Sequence, residues 1–138
     1  MRRMSDIVRN QNPLTLPATA TVRDACQSMR ERRVGAVLVT DGDRRLVGIF
    51  TGRDAVGRVL ADGKDADRTR IGEVMTRDPH SVSPERSAID ALRMMFDIGC
   101  RHIPIVENGC VVGVVSRADF RGLELDRLDE ETGLWERI

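Results

Sequence analysis

The sequence predicts an α/β (α+β) fold: two β-α-β-β-α repeats packed about a pseudo-twofold axis, their small mixed sheets covered by helices. Three observations predict it. First, the chain repeats itself. Asn12-Pro13 returns as Asp78-Pro79, Thr21-Val22-Arg23-Asp24-Ala25 as Ser87-Ala88-Ile89-Asp90-Ala91, and Leu46 to Thr51 as Val111 to Ser116. Second, each copy carries one apolar stripe at helical spacing and two short apolar runs around a turn. Third, two such half-units cannot each bury both faces of a sheet. Packing them face to face solves this and leaves two clefts where the halves meet, a favoured place for small ligands.

In the first copy Val22, Ala25, Cys26 and Met29 fall on one helical face; in the second Ala88, Ala91, Leu92 and Met95 do. The second helix also has Ile89, Met94, Phe96 and Ile98 off that face, which asks for another packing partner, in the chain or in a homodimer. The runs Ala36 to Val39 and Ile103 to Val106 are continuously apolar, as suits a sheet covered by helices. Asn108-Gly109 then predicts a tight hairpin, since both residues tolerate positive φ. The first copy has the looser Asp41-Gly42-Asp43-Arg44. The division is residues 4–62 for repeat one, 63–70 for a polar linker, 71–123 for repeat two and 124–138 for a tail. Leu125, Leu128, Trp135 and Ile138 punctuate that tail among acidic residues, and Thr132-Gly133 breaks any long helix in it.

Composition narrows the function classes. The 138 residues hold 22 basic and 22 acidic side chains, so the whole molecule has no attraction to DNA or to an anionic membrane. The cysteines, Cys26, Cys100 and Cys110, are odd in number and lack Cys-x-x-Cys spacing, which argues for buried free thiols in a reducing compartment. With no signal-peptide hydrophobic region and no apolar span, the expectation is a cytoplasmic protein.

The repeat carries more specific marks. Met4-Ser5-Asp6-Ile7-Val8 and Ile71-Gly72-Glu73-Val74-Met75 stand before the two copies, and Arg101-His102-Ile103-Pro104-Ile105-Val106 forms a central run. Gly48-Ile49-Phe50-Thr51-Gly52-Arg53-Asp54 and Gly113-Val114-Val115-Ser116-Arg117-Ala118-Asp119 share the pattern G-h-h-[ST]-x-x-D at the same place in each repeat. In these features the chain resembles a tandem CBS-domain protein, or Bateman module, of the stand-alone bacterial type. The resemblance covers Met4 to about Leu123. It implies that Thr51, Asp54, Ser116 and Asp119 face a nucleotide, each Asp accepting from ribose hydroxyls. The backbones of Thr15-Leu16 and Ser81-Val82 would hold adenine. Arg101 and His102 would meet phosphate at the start of the central strand, with Ile103 beside them.

Elementary chemistry agrees with that implication. A helix start after each heptad strand offers free N–H groups to phosphate, and a carboxylate is acceptor-only, fit for two hydroxyl donors. Arg53 and Arg117 lie in the same first turn, within reach of phosphate. Helix capping predicts the same residue types, because Thr21…Asp24, Thr51…Asp54, Ser87…Asp90 and Ser116…Asp119 are all Ser/Thr-x-x-Asp tetrads at four expected helix starts. Repeat one has Gly35-Ala36 where repeat two has Arg101-His102, so repeat two is expected to be the tighter anion site. A His102 beside phosphate would titrate in the physiological range and would seat any pH sensing. His80, His102 and Cys100 fit no common zinc spacing, so no metal is expected. No catalytic motif is evident, so no enzyme is expected. The predicted function is a regulatory sensor of an adenine nucleotide (AMP, ADP or ATP, with NAD(H) or S-adenosylmethionine as further candidates). It would act as a homodimer on a separate effector protein. The alternative is a ligand-free dimerisation scaffold.

Overall fold

The helical stripes become α2 (Val22–Arg32) and α5 (Ala88–Ile98). Each starts at a hydroxyl cap: Thr21 accepts from the Asp24 N–H and Ser87 from the Asp90 N–H. Each ends at a left-handed residue, Arg33 at φ 55° and Gly99 at φ 82°. Val22, Ala25 and Met29 are buried on α2; Ala88, Ile89, Ala91, Leu92 and Met95 are buried on α5. The computed structural model describes residues 1–122 and 124–127. Leu123, Leu128, Trp135 and Ile138 of the sequence reading lie outside the described residues.

The chain forms two compact units, and these divide it differently from the sequence repeats. One, the repeat-one unit, is Asn12–His80 with the hairpin tip Asn108–Val111; the other, the repeat-two unit, comprises Met1–Gln11, Ser81–Glu107 and the chain from Val112 onward. The short lead-in helices are therefore exchanged. α1 (Met4–Ile7) belongs to the repeat-two unit, and α4 (Ile71–Val74) to the repeat-one unit.

The repeat-one unit holds a four-stranded sheet in the order β1 (Thr15–Leu16), β2 (Ala36–Thr40), β3 (Leu46–Thr51), β4 (Thr76–Arg77). β1 runs parallel to β2 with Thr15 opposite Leu38, while β2/β3 and β3/β4 are antiparallel. Val37, Val39 and Phe50 lie in its core with Ile71 and Val74 of α4. The predicted polar linker is tied down: Thr69 is buried, and its carbonyl accepts from the Val22 N–H. The hairpin tip joins this unit through an Arg45–Cys110 bridge.

β5 (His102–Glu107) and β6 (Cys110–Ser116) form a two-stranded sheet that belongs to the repeat-two unit except for Cys110 and Val111 at the hairpin tip. Asn108 at φ 52° and Gly109 at φ 83° make the predicted hairpin turn. Ile103, Ile105 and Val115 pack with α5 and with Met4 and Val8. The first strand of this repeat shrinks to a single bridge, Val82 to Ile105. The cause is Pro104. At the matching place in repeat one, Leu38 donates its N–H to the Leu14 carbonyl at 2.9 Å. Proline has no N–H, so that rung is lost. Only Val82 remains paired, donating to the Pro104 carbonyl and accepting from the Val106 N–H.

Both heptad glycines have a packing reason. A Cβ on Gly48 would run into the Met75 sulfur and stand 2.9 Å from the Thr76 carbonyl; one on Gly113 would stand 2.8 Å from Val8 Cγ1. In each unit the stretch after the lead-in helix crosses the second hairpin strand at its glycine. In the repeat-one unit that stretch is β4, with Arg77 opposite Gly48. In the repeat-two unit the Gln11 side chain substitutes for a strand: its Oε1 accepts from the Val114 N–H at 2.7 Å and its Nε2 donates to the Val114 carbonyl at 3.0 Å. No helix among the described residues is long and apolar enough to cross a membrane.

Candidate functional site

In the repeat-one unit β3 delivers Thr51 at its end, followed by a three-residue α turn, α3 (Gly52–Asp54), and a π-helix, Ala55–Leu60. The sequence predicted one ordinary helix here. The Ala61 N–H instead bonds the Val56 carbonyl, the wide i→i+5 step. Thr51 and Asp54 form a reciprocal cap. Asp54 Oδ2 accepts from the Thr51 N–H at 2.9 Å and from its hydroxyl at 3.2 Å, and Thr51 Oγ1 accepts from the Asp54 N–H. Asp54 Oδ1 faces the guanidinium of Arg58, 3.6 Å from Nε. Arg53 is exposed.

In the repeat-two unit Ser116 ends β6 and a 3-10 turn, Arg117–Asp119, follows. Asp119 Oδ2 accepts from the Ser116 N–H at 2.8 Å and from its hydroxyl at 3.3 Å. Its Oδ1 accepts no hydrogen bond from the described residues, and Asp119 is exposed. The Arg117 N–H donates to the Arg101 carbonyl, which joins the mouths of β5 and β6. Arg101 is exposed, His102 half-buried and Ile103 fully buried, so Ile103 serves the core.

Two of the predicted site residues have partners within the protein that the sequence does not show. Arg117 does not extend freely from the turn. Its Nε donates to the Cys100 carbonyl at 3.0 Å, its Nη2 reaches the Met95 carbonyl at 3.4 Å, and its guanidinium lies 4.4 Å from the Phe96 ring centre. It closes the C-terminus of α5, where a cation is favoured. His102 is held below its ordinary value, mainly by burial and further by Arg101, against the opposing pull of Asp119. Its imidazole is therefore neutral at neutral pH.

Thr15-Leu16 and Ser81-Val82 do form the first-strand segments of their repeats. Because the Leu38 N–H pairs with Leu14, the Thr15 backbone groups face the free edge of the sheet. Thr15 and Leu16 also line a cleft of about 540 Å³ with Thr40, Val47, Met75 and Arg77, which does not include Thr51 or Asp54. In three of the Ser/Thr-x-x-Asp tetrads the hydroxyl accepts from the Asp N–H, and in the fourth Asp119 accepts from the Ser116 N–H instead. Cys26, Cys100 and Cys110 are free and half-buried, and burial raises the thiols of Cys26 and Cys100. Among the described residues no cluster of His, Cys, Asp or Glu could hold a metal ion. The sequence reading missed Arg58, whose partners lie four residues back and sixteen or more ahead, and Gln11, which no motif marks.

A model of the CBS domain matches residues 4–61 and again 71–126. The chain belongs to the CBS-domain family. It is a tandem CBS pair. The CBS domain-containing protein CBSCBSPB1 of Arabidopsis thaliana is 40% identical over 111 residues, which cover 80% of this chain and 20% of that protein. The chain thus spans about a fifth of the length of that plant relative. Among solved structures, the CBS domain protein PAE2072 from Pyrobaculum aerophilum complexed with AMP superposes with a TM-score of 0.82 at 29% identity, covering 93% of this chain and 98% of that one. The CBS-domain containing protein ATU1752 from Agrobacterium tumefaciens gives 0.77 at 26% identity, covering 85% and 94%. The small mixed sheets and covering helices agree with the CBS-pair architecture of these neighbours.

Proposed function

We propose that this CBS pair is a regulatory sensor that binds an adenine nucleotide through repeat two. AMP, ADP and ATP are the first candidates, with NAD(H) and S-adenosylmethionine in the same adenine class. The observation that carries the reading is the state of Asp119. One carboxylate oxygen is fixed by the Ser116 N–H and hydroxyl; the other accepts no hydrogen bond from the described residues, on an exposed side chain that can accept from ribose. Ser81-Val82 and Arg101-His102 belong to the same unit. The similarity to a CBS protein complexed with AMP supports the ligand class. The module binds and does not catalyse; occupancy passes to an effector protein because the nucleotide prefers one of two conformations.

A second reading has its own observation. In each Ser/Thr-x-x-Asp tetrad the hydroxyl or the carboxylate makes a capping hydrogen bond, so capping accounts for these residues without a ligand. The chain would then be a dimerisation scaffold, with Val56 and Leu60 on the π-helix, 62% and 71% exposed, as apolar contact surface. A thermal-shift screen of ligand-free protein separates the two. A nucleotide at one hundred times its Kd adds ~2.7 kcal/mol of stability. No shift with AMP, ADP, ATP, NAD or S-adenosylmethionine would favour the scaffold.

A further inference from the structure

The two heptad carboxylates are alike in sequence and unlike in surroundings. Each uses Oδ2 for its cap. Asp119 Oδ1 takes no hydrogen bond or ion pair from the described residues, whereas Asp54 Oδ1 faces Arg58 at 3.6 Å. The Asp54 side chain is 12% exposed, so it is far less solvated than an ordinary surface carboxylate.

The Arg58 side chain is 51% exposed, yet its guanidinium has several partners. Its Nη1 donates to the Val74 carbonyl at 3.2 Å and to the Met75 carbonyl at 3.0 Å. These acceptors lie at the C-terminal end of α4, where a cation meets the negative pole of the helix. Backbone on one side and a carboxylate on the other therefore fix the guanidinium in place. A planar guanidinium suits such double duty because its donors form a rigid fork. In repeat two the position matching Arg58 is Leu123, which has no donor.

We infer that Arg58 guards repeat one: it occupies the Asp54 oxygen that a ribose would need, and so decides whether this repeat takes a nucleotide. The inference rests on the reading of Asp119 and Asp54 as ribose acceptors. A ribose hydroxyl at Asp54 has to displace a cation held by two other acceptors, while among the described residues no cation forms an ion pair with Asp119. Repeat one is built as a closed copy of the site, openable by whatever draws Arg58 away from α4.

The test is calorimetric titration of adenosine and AMP into the wild type, Asp119→Ala, and Asp119→Ala combined with Arg58→Gln. Arg58→Met, which keeps the aliphatic stem, serves as the second variant if Arg58→Gln fails to fold by circular dichroism. Adenosine decides the matter, because it has no phosphate to lose an arginine partner. The expected result is a gain of about tenfold in adenosine affinity when Arg58 is replaced in the Asp119→Ala background. Unchanged or weaker adenosine binding overturns the guard. If the wild type takes AMP and that gain is absent, the guard alone fails. If neither the wild type nor any variant takes AMP or adenosine, the nucleotide reading fails and the guard with it.

Discussion

Gly113 lies directly beneath Val8: a Cβ at position 113 would stand 2.8 Å from Val8 Cγ1 and 2.7 Å from the Gln11 Oε1 that accepts from the Val114 N–H. Valine is stiff at χ1, and the Gln11 amide is tied at both ends, so neither yields cheaply. Gly113→Ala is expected to cost ~1–3 kcal/mol by overpacking. Gly57, inside the π-helix, meets nothing within 4 Å, and Gly57→Ala is expected to be neutral or to stabilise by ~0.5–1 kcal/mol. Urea midpoints of the two variants check the contrast; equal losses would refute the packing account of the heptad glycine.

His102 makes stability depend on pH. Its folded-state value lies below the ordinary 6.5, mainly because burial disfavours the imidazolium. The contribution is complete above about pH 6.5 and is lost as pH falls below it, since the unfolded chain then binds the proton better. Asp119 pulls the other way, so Asp119→Asn should lower the His102 value further. NMR titration of the ring measures both; an imidazole that titrates at or above 6.5 in the wild type would contradict the burial argument.

Arg2 grips Glu124 with two donors, Nε to Oε2 at 3.1 Å and Nη2 to Oε1 at 2.6 Å, and reaches the Asp119 carbonyl at 3.0 Å. Desolvation pushes the Glu124 carboxyl up, but the Arg2 hydrogen bonds and the Arg121 N–H leave it below its ordinary value. This stability is present above about pH 4.5 and disappears as pH falls through the folded value. Glu124→Gln should cost about 1 kcal/mol at pH 7, and the cost should shrink as pH falls below about 4.5 and through the lowered folded value. A loss that does not shrink as the carboxyl is protonated would show that shape, not charge, holds the contact.

Arg117 and Phe96 form a pair that repeat one lacks: the matching residues there are Gly52 and Arg30. A double-mutant cycle with Arg117→Ala and Phe96→Ala should give a coupling of ~0.5–1 kcal/mol. Additive losses would mean the ring and guanidinium are mere neighbours.

Much of this was legible in the sequence. The repeat, the buried stripes on α2 and α5 and the Asn108-Gly109 hairpin follow from periodicity and turn chemistry that act within a few residues. The exchange of lead-in helices was not legible, because Met4–Ile7 and Ile71–Val74 are single turns whose apolar residues suit either repeat. The reduced strand at Val82 could have been read from Pro104, once Leu38 is recognised as its counterpart. The place of Arg117 in the turn is local, whereas its partners Met95 and Cys100 lie a hairpin away, so the sequence does not show them. Arg58 was hidden for the same reason. Long side chains choose among distant acceptors, and spacing says nothing of that choice.

The central claim is that repeat two holds the nucleotide through Asp119. Calorimetric titration of AMP into Asp119→Ala and Asp54→Ala tests it most directly. Loss of charge-assisted hydrogen bonds to ribose, worth ~1.5–3 kcal/mol each, predicts a loss of at least about tenfold for Asp119→Ala and little change for Asp54→Ala. Equal losses, or a larger loss from Asp54→Ala, would contradict it.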